Sequence, residues 1–432
     1  MEHTMKILVL GGGVIGITTA YYLARDGCEV TVVEEQDGVG REASGSNAGI
    51  LAAGHAFAWA SPRAPLMLLR SLLGQQTAIR VRLTLDPRLY AWGLLFLREC
   101  TAERARRNTL VKLRLSQYSL AVMADLVRRE NIRYHAIARG ALYLYRDPHE
   151  LELGVEKMRL LAEHGQRQEV LDPAGVARLD PVFARVTHKI AGGVLDLGDS
   201  SGDSQLFTEE LARVCRERLG VTFHMSTRIR ALRAHGNHVT AAVTDQGVLT
   251  ADAYVLALGA WSPIVARTIG VGLPVYPAKG YSSTFPLRAG APAPTVPCVD
   301  EQWLVAWSRM GDRLRLTSTA EFAGYDRAWS PRNFANIRQL AGDLFPDAVD
   351  LSRGEYRSCL RPMTPAGPPF LGPGRHENLF FNTGHGHMGW TMACGSGRVV
   401  ADLILGRAPE IDPEGLVPRP AAGAARTRVK VP

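Results

Sequence analysis

The sequence predicts an α/β protein of two domains, one built on a parallel sheet and the other on an antiparallel sheet. An apolar segment, a glycine-rich turn, a helical segment and a β-branched segment follow one another near the start of the chain, as in a strand, helix, strand unit. Three later segments, at residues 276–285, 303–307 and 314–319, alternate apolar and polar side chains instead, which is typical of a half-exposed antiparallel sheet. With 432 residues, the chain is long enough for two or three domains of roughly 100 to 200 residues.

The first predicted unit covers residues 6–33. Residues 6–10 are apolar, as expected of a parallel strand buried on both faces, and residues 14–25 have helical spacing. Gly27 lies where a helix C-cap is needed, and residues 30–33 are β-branched or apolar.

The other elements follow from the same patterns of spacing. Helices are predicted at residues 66–73, 89–97, 110–129, 151–163, 207–218 and 390–405. Strands are predicted at residues 141–145, 193–197, 221–224, 229–232, 239–244, 254–258, 276–285, 303–307, 314–319 and 378–383.

Residues 229–258 and 378–405 are predicted to return to the parallel sheet that begins with residues 6–10. The domain built on this sheet is therefore predicted to be discontinuous. The predicted domains are residues 1–60, 190–275 and 358–412 for the first, residues 61–189 and 276–357 for the second, and a loose basic tail at 413–432.

Composition excludes several classes of protein. Hydrophobic residues make up 46% and charged residues 21%, which is ordinary globular usage. The six cysteines lie far apart with no C-x-x-C pair, so a zinc ribbon or thioredoxin-like site is not expected. The net charge of +8 suits a small anionic partner, and because no nucleic-acid-binding motif accompanies it, we expect no nucleic-acid partner.

The sequence GGGVIG at residues 11–16 matches G-x-G-x-x-G after a strand and before a helix. Gly11 permits the tight turn, Gly13 the close approach of a pyrophosphate, and Gly16 the packing of helix on strand. Glu34 ends the next strand, where an acid binds adenosine ribose hydroxyls and disfavours a 2′-phosphate. Glu35 is the alternative for that role.

FAD fits this pattern better than NAD, because the nucleotide-type sheet is predicted to be built from separated segments. A contiguous NAD-type dehydrogenase remains the alternative. A loop of small and polar residues after the second strand would let backbone N–H groups approach phosphate or a flavin ring. Its residues are Glu42, Ser44, Ser46, Asn47, Ala48 and Gly49.

Further motifs make a family resemblance specific. They are EASGSNAG at 42–49, GDSQLFT at 202–208, PAKGYS at 277–282, LRPMTPAGPP at 360–369 and NTGHGHMGWTMACGSGRVVADLI at 382–404. With GGGVIG and Glu34, the chain resembles the D-amino acid dehydrogenase small subunit family over residues 6–411. That family is a branch of the FAD-dependent amine oxidoreductases, with glycine oxidase and D-amino acid oxidase.

The resemblance implies a two-domain FAD-dependent oxidoreductase with a Rossmann-type FAD domain, an antiparallel-sheet substrate domain and non-covalent FAD. The N-terminus of the helix after Gly389 would stabilise negative charge on reduced flavin. The cofactor-binding residues implied are Gly11, Gly13, Val14, Ile15, Gly16, Glu34, Glu35, Ser44, Ser46, Asn47, Ala48, Gly49, Gly259, Gly384, His385, Gly386, Gly389 and Trp390.

For the substrate, the resemblance implies that Arg361 binds a carboxylate, for which the planar guanidinium offers two parallel donors. Tyr281 is implied to add a hydroxyl to the same carboxylate, although a core position explains a tyrosine in such a strand equally well. His385 and His387 form an H-x-H pair without a third ligand nearby, so no metal is predicted.

Some residues depart from the family pattern. His387 stands where a small residue is more usual, and residues 50–53 with His55, and 317–319, also differ. Because these positions surround the expected substrate pocket, the identity of the substrate stays open.

The implied activity is oxidative deamination of a D-amino or D-imino acid to a 2-oxo acid and ammonia, or to a cyclic imine. Hydride would pass from Cα to flavin N5, and electrons would pass to an acceptor other than oxygen, such as a quinone. Two alternatives remain: an oxidase for glycine, sarcosine or D-proline that uses oxygen, and an FAD-holding subunit of a multi-subunit amino acid dehydrogenase.

The uncharged segment at residues 7–24 approaches the length of a membrane span, but its four glycines and the strand that follows favour the nucleotide-binding unit. We therefore expect a cytoplasmic protein. The basic, leucine-rich residues 89–114 suggest weak peripheral contact with the inner face of the membrane, with ordinary packing helices as the alternative.

Overall fold

The computed structural model describes residues 4–72, 79–82 and 84–418, and two large sheets organise them. The first has six strands, all parallel except for one antiparallel edge pair. In order across the sheet they are Phe370–Pro373, Leu379–Thr383, Ala253–Leu256, Lys6–Leu10, Glu29–Val33 and Thr222–His224.

The central strand Lys6–Leu10 shows why this sheet has apolar sequences. Ile7 and Val9 pack on one face and Leu8 and Leu10 on the other, so both faces are buried. A strand covered on both sides needs apolar residues at every position.

Two helices cover one face of this sheet and pack closely on each other. They are Val14–Arg25 and Gly389–Ile404. A Cβ at Gly397 would lie 2.9 Å from the carbonyl carbon of Thr18, so a glycine is needed for this approach. The first and last helices of the domain thereby form one layer.

The second large sheet has nine strands and is mainly antiparallel. Eight follow one another in the order Glu355–Met363, Tyr276–Pro286, Arg313–Phe322, Val305–Met310, Cys298–Asp300, Ala141–Tyr145, Gly192–Asp196 and Gln168–Leu171, and Ile79–Val81 pairs with Arg313–Phe322. Two smaller sheets contain Ile229–His235, His238–Thr244 and Gly247–Leu249, and Ile50–Leu51 with Ser200–Ser201.

The remaining helices mostly begin where a side chain can accept a backbone hydrogen bond. Asp86, Thr101, Asp147, Asp172 and Asp203 each accept one from the first helical turn. The remaining helices, capped and uncapped together, are Ala64–Leu72, Pro87–Glu99, Ala102–Glu130, Pro148–Ala162, Pro173–Leu179, Ser204–Leu219, Ser262–Arg267 and Ala335–Leu344. No helix in the described ranges combines the length and the hydropathy that a membrane crossing requires.

The predicted α/β class with a parallel and a mainly antiparallel sheet is confirmed, but several details were wrong. Of the predicted stretch 229–258, residues 229–249 form a separate antiparallel sheet, and only Ala253–Leu256 joins the parallel sheet. Gly192–Asp196 and Glu355–Met363 belong to the large mixed sheet, so the predicted boundaries at 190 and 358 lie too early in the chain. The helix Ala335–Leu344 was not predicted.

The predicted loose tail is also partly wrong. Leu416 is buried, and its carbonyl accepts a hydrogen bond from the Leu371 N–H at 2.9 Å. Residues 419–432, which carry the basic part of the tail, lie outside the described residues.

Candidate active site

A cavity of about 2050 Å³ lies between the two large sheets. Its walls include the GGGVIG turn, the loop after the second strand, strand Arg313–Phe322 and Arg361. Sites for drug-sized ligands occupy about 300 to 1,000 Å³, so this cavity has room for a dinucleotide and a small substrate together.

The glycine turn at residues 11–16 fits an extended phosphate group. Gly11 has φ +112°, and a Cβ there would lie 2.7 Å from the carbonyl oxygen of Ala257. A Cβ at Gly16 would lie 1.9 Å from the carbonyl oxygen of Gly11, so only glycine lets the helix approach the strand. The helix Val14–Arg25 has no acidic residue in its first turn, and Gly13, Val14 and Ile15 line the cavity. Its positive end is therefore available to an anion.

Glu34 lies beside this turn. Its Oε2 accepts a hydrogen bond from the Gly12 N–H at 2.6 Å, its Oε1 accepts one from the Gln36 N–H at 2.9 Å, and burial raises the pKa of the carboxyl. Glu35 is exposed and pairs with Arg228. Of the two candidates, Glu34 is thus the one held against the glycine turn.

The loop at residues 42–49 is fixed from several sides. Ser44 Oγ accepts a hydrogen bond from the Val14 N–H at 3.0 Å, and Asn47 Nδ2 donates to Ser204 Oγ at 2.8 Å. Buried Arg315 donates from Nη1 to the Gly45 carbonyl at 2.8 Å, and Ser308 Oγ donates to the Ala48 carbonyl at 2.5 Å. These contacts hold the loop at the cavity wall.

The turn before the last helix forms another part of the wall. His385 is buried, its Nε2 lies 2.9 Å from Ser396 Oγ, and burial lowers the pKa of the imidazole to about 3, so it is neutral at pH 7. Asn382 Oδ1 and Trp390 Nε1 are buried without a hydrogen-bond partner among the described residues, and both residues line the cavity. Buried polar atoms are normally satisfied, so these two fit a ligand with polar ring atoms.

Arg361 lies on strand Glu355–Met363, at the edge of the large mixed sheet, and lines the cavity. Its Nη1 donates to the Thr319 carbonyl at 3.1 Å, and burial lowers the pKa of the guanidinium. A Cβ at Gly280 would lie 2.7 Å from Arg361 Nη2, so the glycine of the neighbouring strand makes room for the side chain. Within the described ranges no carboxylate pairs with this guanidinium, so a ligand anion is the expected partner.

Thr319 has a backbone φ of +59°, a conformation that residues other than glycine rarely adopt. It lies where the pairing of Arg313–Phe322 with Tyr276–Pro286 shifts register. The same residue supplies the carbonyl that orients Arg361. The departure from the family pattern at residues 317–319 therefore includes a strained backbone position that contacts Arg361.

Tyr281 lies elsewhere. Its hydroxyl donates to Glu321 Oε2 at 2.5 Å, its ring packs edge-on against Phe334, and it does not line the cavity. The alternative interpretation of Tyr281 as a core residue fits these contacts better than a role in substrate binding.

The structure brings most of the predicted site residues to one cavity. Those lining it are Gly11, Gly13, Val14, Ile15, Glu34, Glu35, Ser44, Ser46, Asn47, Ala48, Gly259, Arg361, His385, Gly386, Gly389 and Trp390. Gly16, Gly49 and Gly384 are packing positions instead: a Cβ would lie 2.5 Å from Met310 Cε at Gly49 and 2.6 Å from Thr364 Cγ2 at Gly384.

Other residues of the site were not predicted. Arg315 and Glu301 belong to no motif, and Trp59 lies in a segment without a clear pattern. His387, His55 and Thr319 were marked in the sequence, but as departures from the family pattern rather than as site residues.

Comparison with known proteins gives a consistent result. The family described as DAO, FAD dependent oxidoreductase, matches residues 6–403. The chain is 47% identical over 413 residues to D-amino acid dehydrogenase 2 of Mesorhizobium japonicum, covering 96% of this chain and 99% of that protein. It is 45% identical over 413 residues to D-amino acid dehydrogenase of Methylobacterium radiotolerans, covering 95% and 98%.

Among solved structures, the fold is similar to glycine oxidase from Geobacillus kaustophilus, with a TM-score of 0.72, 22% identity and coverage of 96% of this chain and 98% of that one. It is also similar to L-proline dehydrogenase from P. horikoshii, with a TM-score of 0.69, 16% identity and coverage of 94% and 95%.

Proposed function

The chain belongs to the DAO family of FAD-dependent oxidoreductases, and from that premise we propose that it oxidises D-amino acids to 2-oxo acids and ammonia. The proposal is supported by the names of its relatives and by one observation on the cavity: the half-buried guanidinium of Arg361 faces it without an acidic partner among the described residues. An amino acid always brings the carboxylate that such a group needs.

The residues present fit FAD. In this proposal the glycine turn and the start of helix Val14–Arg25 hold the pyrophosphate, Glu34 the ribose, and the turn at residues 384–390 the flavin, all without a covalent bond. When bound, FAD would supply the two-electron oxidation of the substrate.

The protein's own part in the reaction is to bind and orient. Arg361 holds the substrate carboxylate, and the Thr319 carbonyl fixes the direction of the guanidinium. His385 stays neutral and buried, so it adds no charge beside the last helix. The substrate amine binds in its neutral form, and the imine product is hydrolysed to the 2-oxo acid and ammonia. Orientation of the reacting atoms is the main contribution, and no catalytic base is assigned.

We place the electron acceptor at the same cavity. Leu66 is half exposed and lines the cavity, and the neighbouring Leu69 is equally exposed. Arg63, Arg70 and Arg106 line the same region. An apolar surface with basic residues at a cavity mouth favours an apolar acceptor such as a quinone, reached from an anionic membrane surface.

Steady-state turnover with D-alanine tests the choice of acceptor. Purified holoenzyme is assayed under nitrogen with a water-soluble quinone and, separately, in air without quinone. We expect turnover to be about tenfold faster with the quinone. Faster turnover in air would contradict the dehydrogenase and favour an oxidase, and turnover only with co-expressed partner chains would favour a subunit of a larger complex.

A further inference from the structure

A group of three polar side chains lines the cavity together with Arg361: His55, His387 and Glu301. The two imidazole rings meet edge to face, with centroids 5.6 Å apart. His55 stacks on Tyr143 at 5.7 Å, and His387 stacks on Trp59 at 4.9 Å. Aromatic neighbours on both sides therefore fix the positions of the two imidazoles.

Each of the three side chains has a buried polar atom without a hydrogen-bond partner among the described residues. These atoms are His55 Nδ1, Glu301 Oε1 and His387 Nε2. His55 Nδ1 and Glu301 Oε1 lie 3.9 Å apart, which is too far for a hydrogen bond. Since buried polar groups are costly when unsatisfied, the missing partner is expected to come from the molecule that fills the cavity.

The protonation states narrow the chemistry of that molecule. Burial, with the nearby charges of Lys157 and Lys112, lowers the pKa of His55 to about 3. Burial, with charges that include Lys112 and Arg361, holds the pKa of His387 well below its usual value. Both imidazoles are therefore neutral at pH 7, and each leaves one ring nitrogen unpaired, which donates or accepts a hydrogen bond according to the tautomer. An uncharged group that also donates and accepts matches them.

We propose that His387, with His55 and Glu301, forms the pocket for the substrate side chain and selects D-amino acids with an amide or hydroxyl side chain over aliphatic ones of the same size. This inference rests on the proposed function for the identity of the substrate. His387 lies within the turn assigned to the flavin and contacts His55 from a distant part of the chain. An aliphatic side chain would leave the three buried atoms unsatisfied, so the site discriminates by what it leaves unpaired.

Binding of two carboxylates that cannot be oxidised tests this pocket directly. Succinamate is D-asparagine without its amino group, and 4-methylpentanoate is the matching analogue of D-leucine. Each is titrated into the holoenzyme, and the shift of the flavin spectrum gives the dissociation constant. We expect succinamate to bind at least about tenfold more tightly, the effect of one or two well-placed hydrogen bonds.

The variant His387→Phe keeps a ring on Trp59 but removes the polar atoms, and we expect it to lower this preference to about threefold or less. His188→Phe, on an exposed residue away from the cavity, should leave the preference unchanged. Equal binding of the two analogues to the wild type, or the same preference in His387→Phe, would overturn the inference.

The binding test separates this inference from the proposed function. If D-amino acids reduce the flavin but the two analogues bind equally, the proposed function stands and the pocket assignment is wrong. If succinamate binds with the expected preference but no D-amino acid reduces the flavin, the polar pocket stands as a binding site for an amide group, and the proposed function is wrong together with the assignment of that pocket to a D-amino acid.

Discussion

The energetic cost of burying a charged side chain in this protein depends on the groups that face it. Arg361 is desolvated, and in the described ranges it has a backbone carbonyl but no carboxylate beside it. A charged group in that position is costly without an anion, so its presence at the cavity wall is best explained by a ligand carboxylate.

Arg361→Ala should therefore lower kcat/KM for a D-amino acid by the equivalent of about 2 to 5 kcal/mol, because the substrate carboxylate would be left desolvated and unpaired. Arg361→Lys keeps the charge but loses the two parallel donors, so it should fall between wild type and Ala. The flavin spectrum should not change. Arg357→Ala, on the exposed part of the same strand, is the matched control. An Arg361→Ala enzyme within about threefold of wild type would remove Arg361 from the substrate site.

Asp199 illustrates the opposite case of a buried acid. It accepts hydrogen bonds from Tyr143 Oη at 2.7 Å and from the Gly54 N–H at 3.1 Å, and Asp196 lies close by. Burial, with the charge of Asp196, raises the pKa of Asp199 well above its ordinary value of 3.8. The folded state therefore holds a proton that the unfolded state has released, and stability falls as pH rises above about 4.

Asp199→Asn removes this proton dependence while keeping the shape of the protonated acid. The variant should gain about 2 °C in Tm relative to wild type at pH 8 and gain nothing at pH 4. Thermal unfolding between pH 4 and pH 8 measures the difference, with exposed Asp37→Asn as control. A Tm difference that is the same at every pH would contradict a raised pKa for Asp199.

Residues with local signals were predictable, and residues defined by long-range contacts were not. Gly11 and Glu34 follow from a strand, turn, helix pattern within one short segment. By contrast, the left-handed backbone of Thr319 depends on a register shift between two strands, and the contact of His55 with His387 joins distant parts of the chain. Nothing local in the sequence encodes either feature.

At the level of elements, the helices Ala64–Leu72 and Pro87–Glu99 share one small core and leave other faces in solvent. Leu66 and Leu69 of the first helix are each 53% exposed, and Leu94 and Leu97 of the second are 66% and 46% exposed. The predicted surface at 89–114 was wrong in its last part, because Lys112 is buried and donates to the Phe57 carbonyl. The spacing of residues alone did not show that helix Ala102–Glu130 buries Lys112.

The double variant Leu94→Glu with Leu97→Glu tests the membrane contact. Wild-type protein should sediment with vesicles of anionic lipid at low salt and be released at high salt, since each basic residue near the surface adds about 1 kcal/mol. The double variant should bind severalfold less, because it removes apolar contacts and adds negative charge. Val248→Glu, on a 52% exposed residue of the separate three-stranded sheet, is the matched control. Absence of sedimentation by the wild type at low salt would contradict the contact.

At the scale of the whole molecule, the types of the two sheets were predictable from the spacing of apolar residues within each strand. The apolar strand Lys6–Leu10 indicated a parallel sheet, and the alternating strands after residue 276 indicated an antiparallel one. The domain boundaries were less accurate, because strand Gly192–Asp196 is fully buried and its composition does not tell which sheet it joins. The cavity forms between the sheets, so its walls could be predicted only as separate motifs.

The central claim is that this family member oxidises D-amino acids, and anaerobic mixing of the purified holoenzyme with single amino acids tests it most directly. The loss of the oxidised flavin absorbance band reports transfer of two electrons from the substrate. We expect D-alanine or D-asparagine to bleach the flavin, and the L-enantiomers at the same concentration to leave it oxidised. A flavin that no D-amino acid bleaches, although dithionite reduces it, or one that only L-amino acids bleach, would contradict the account.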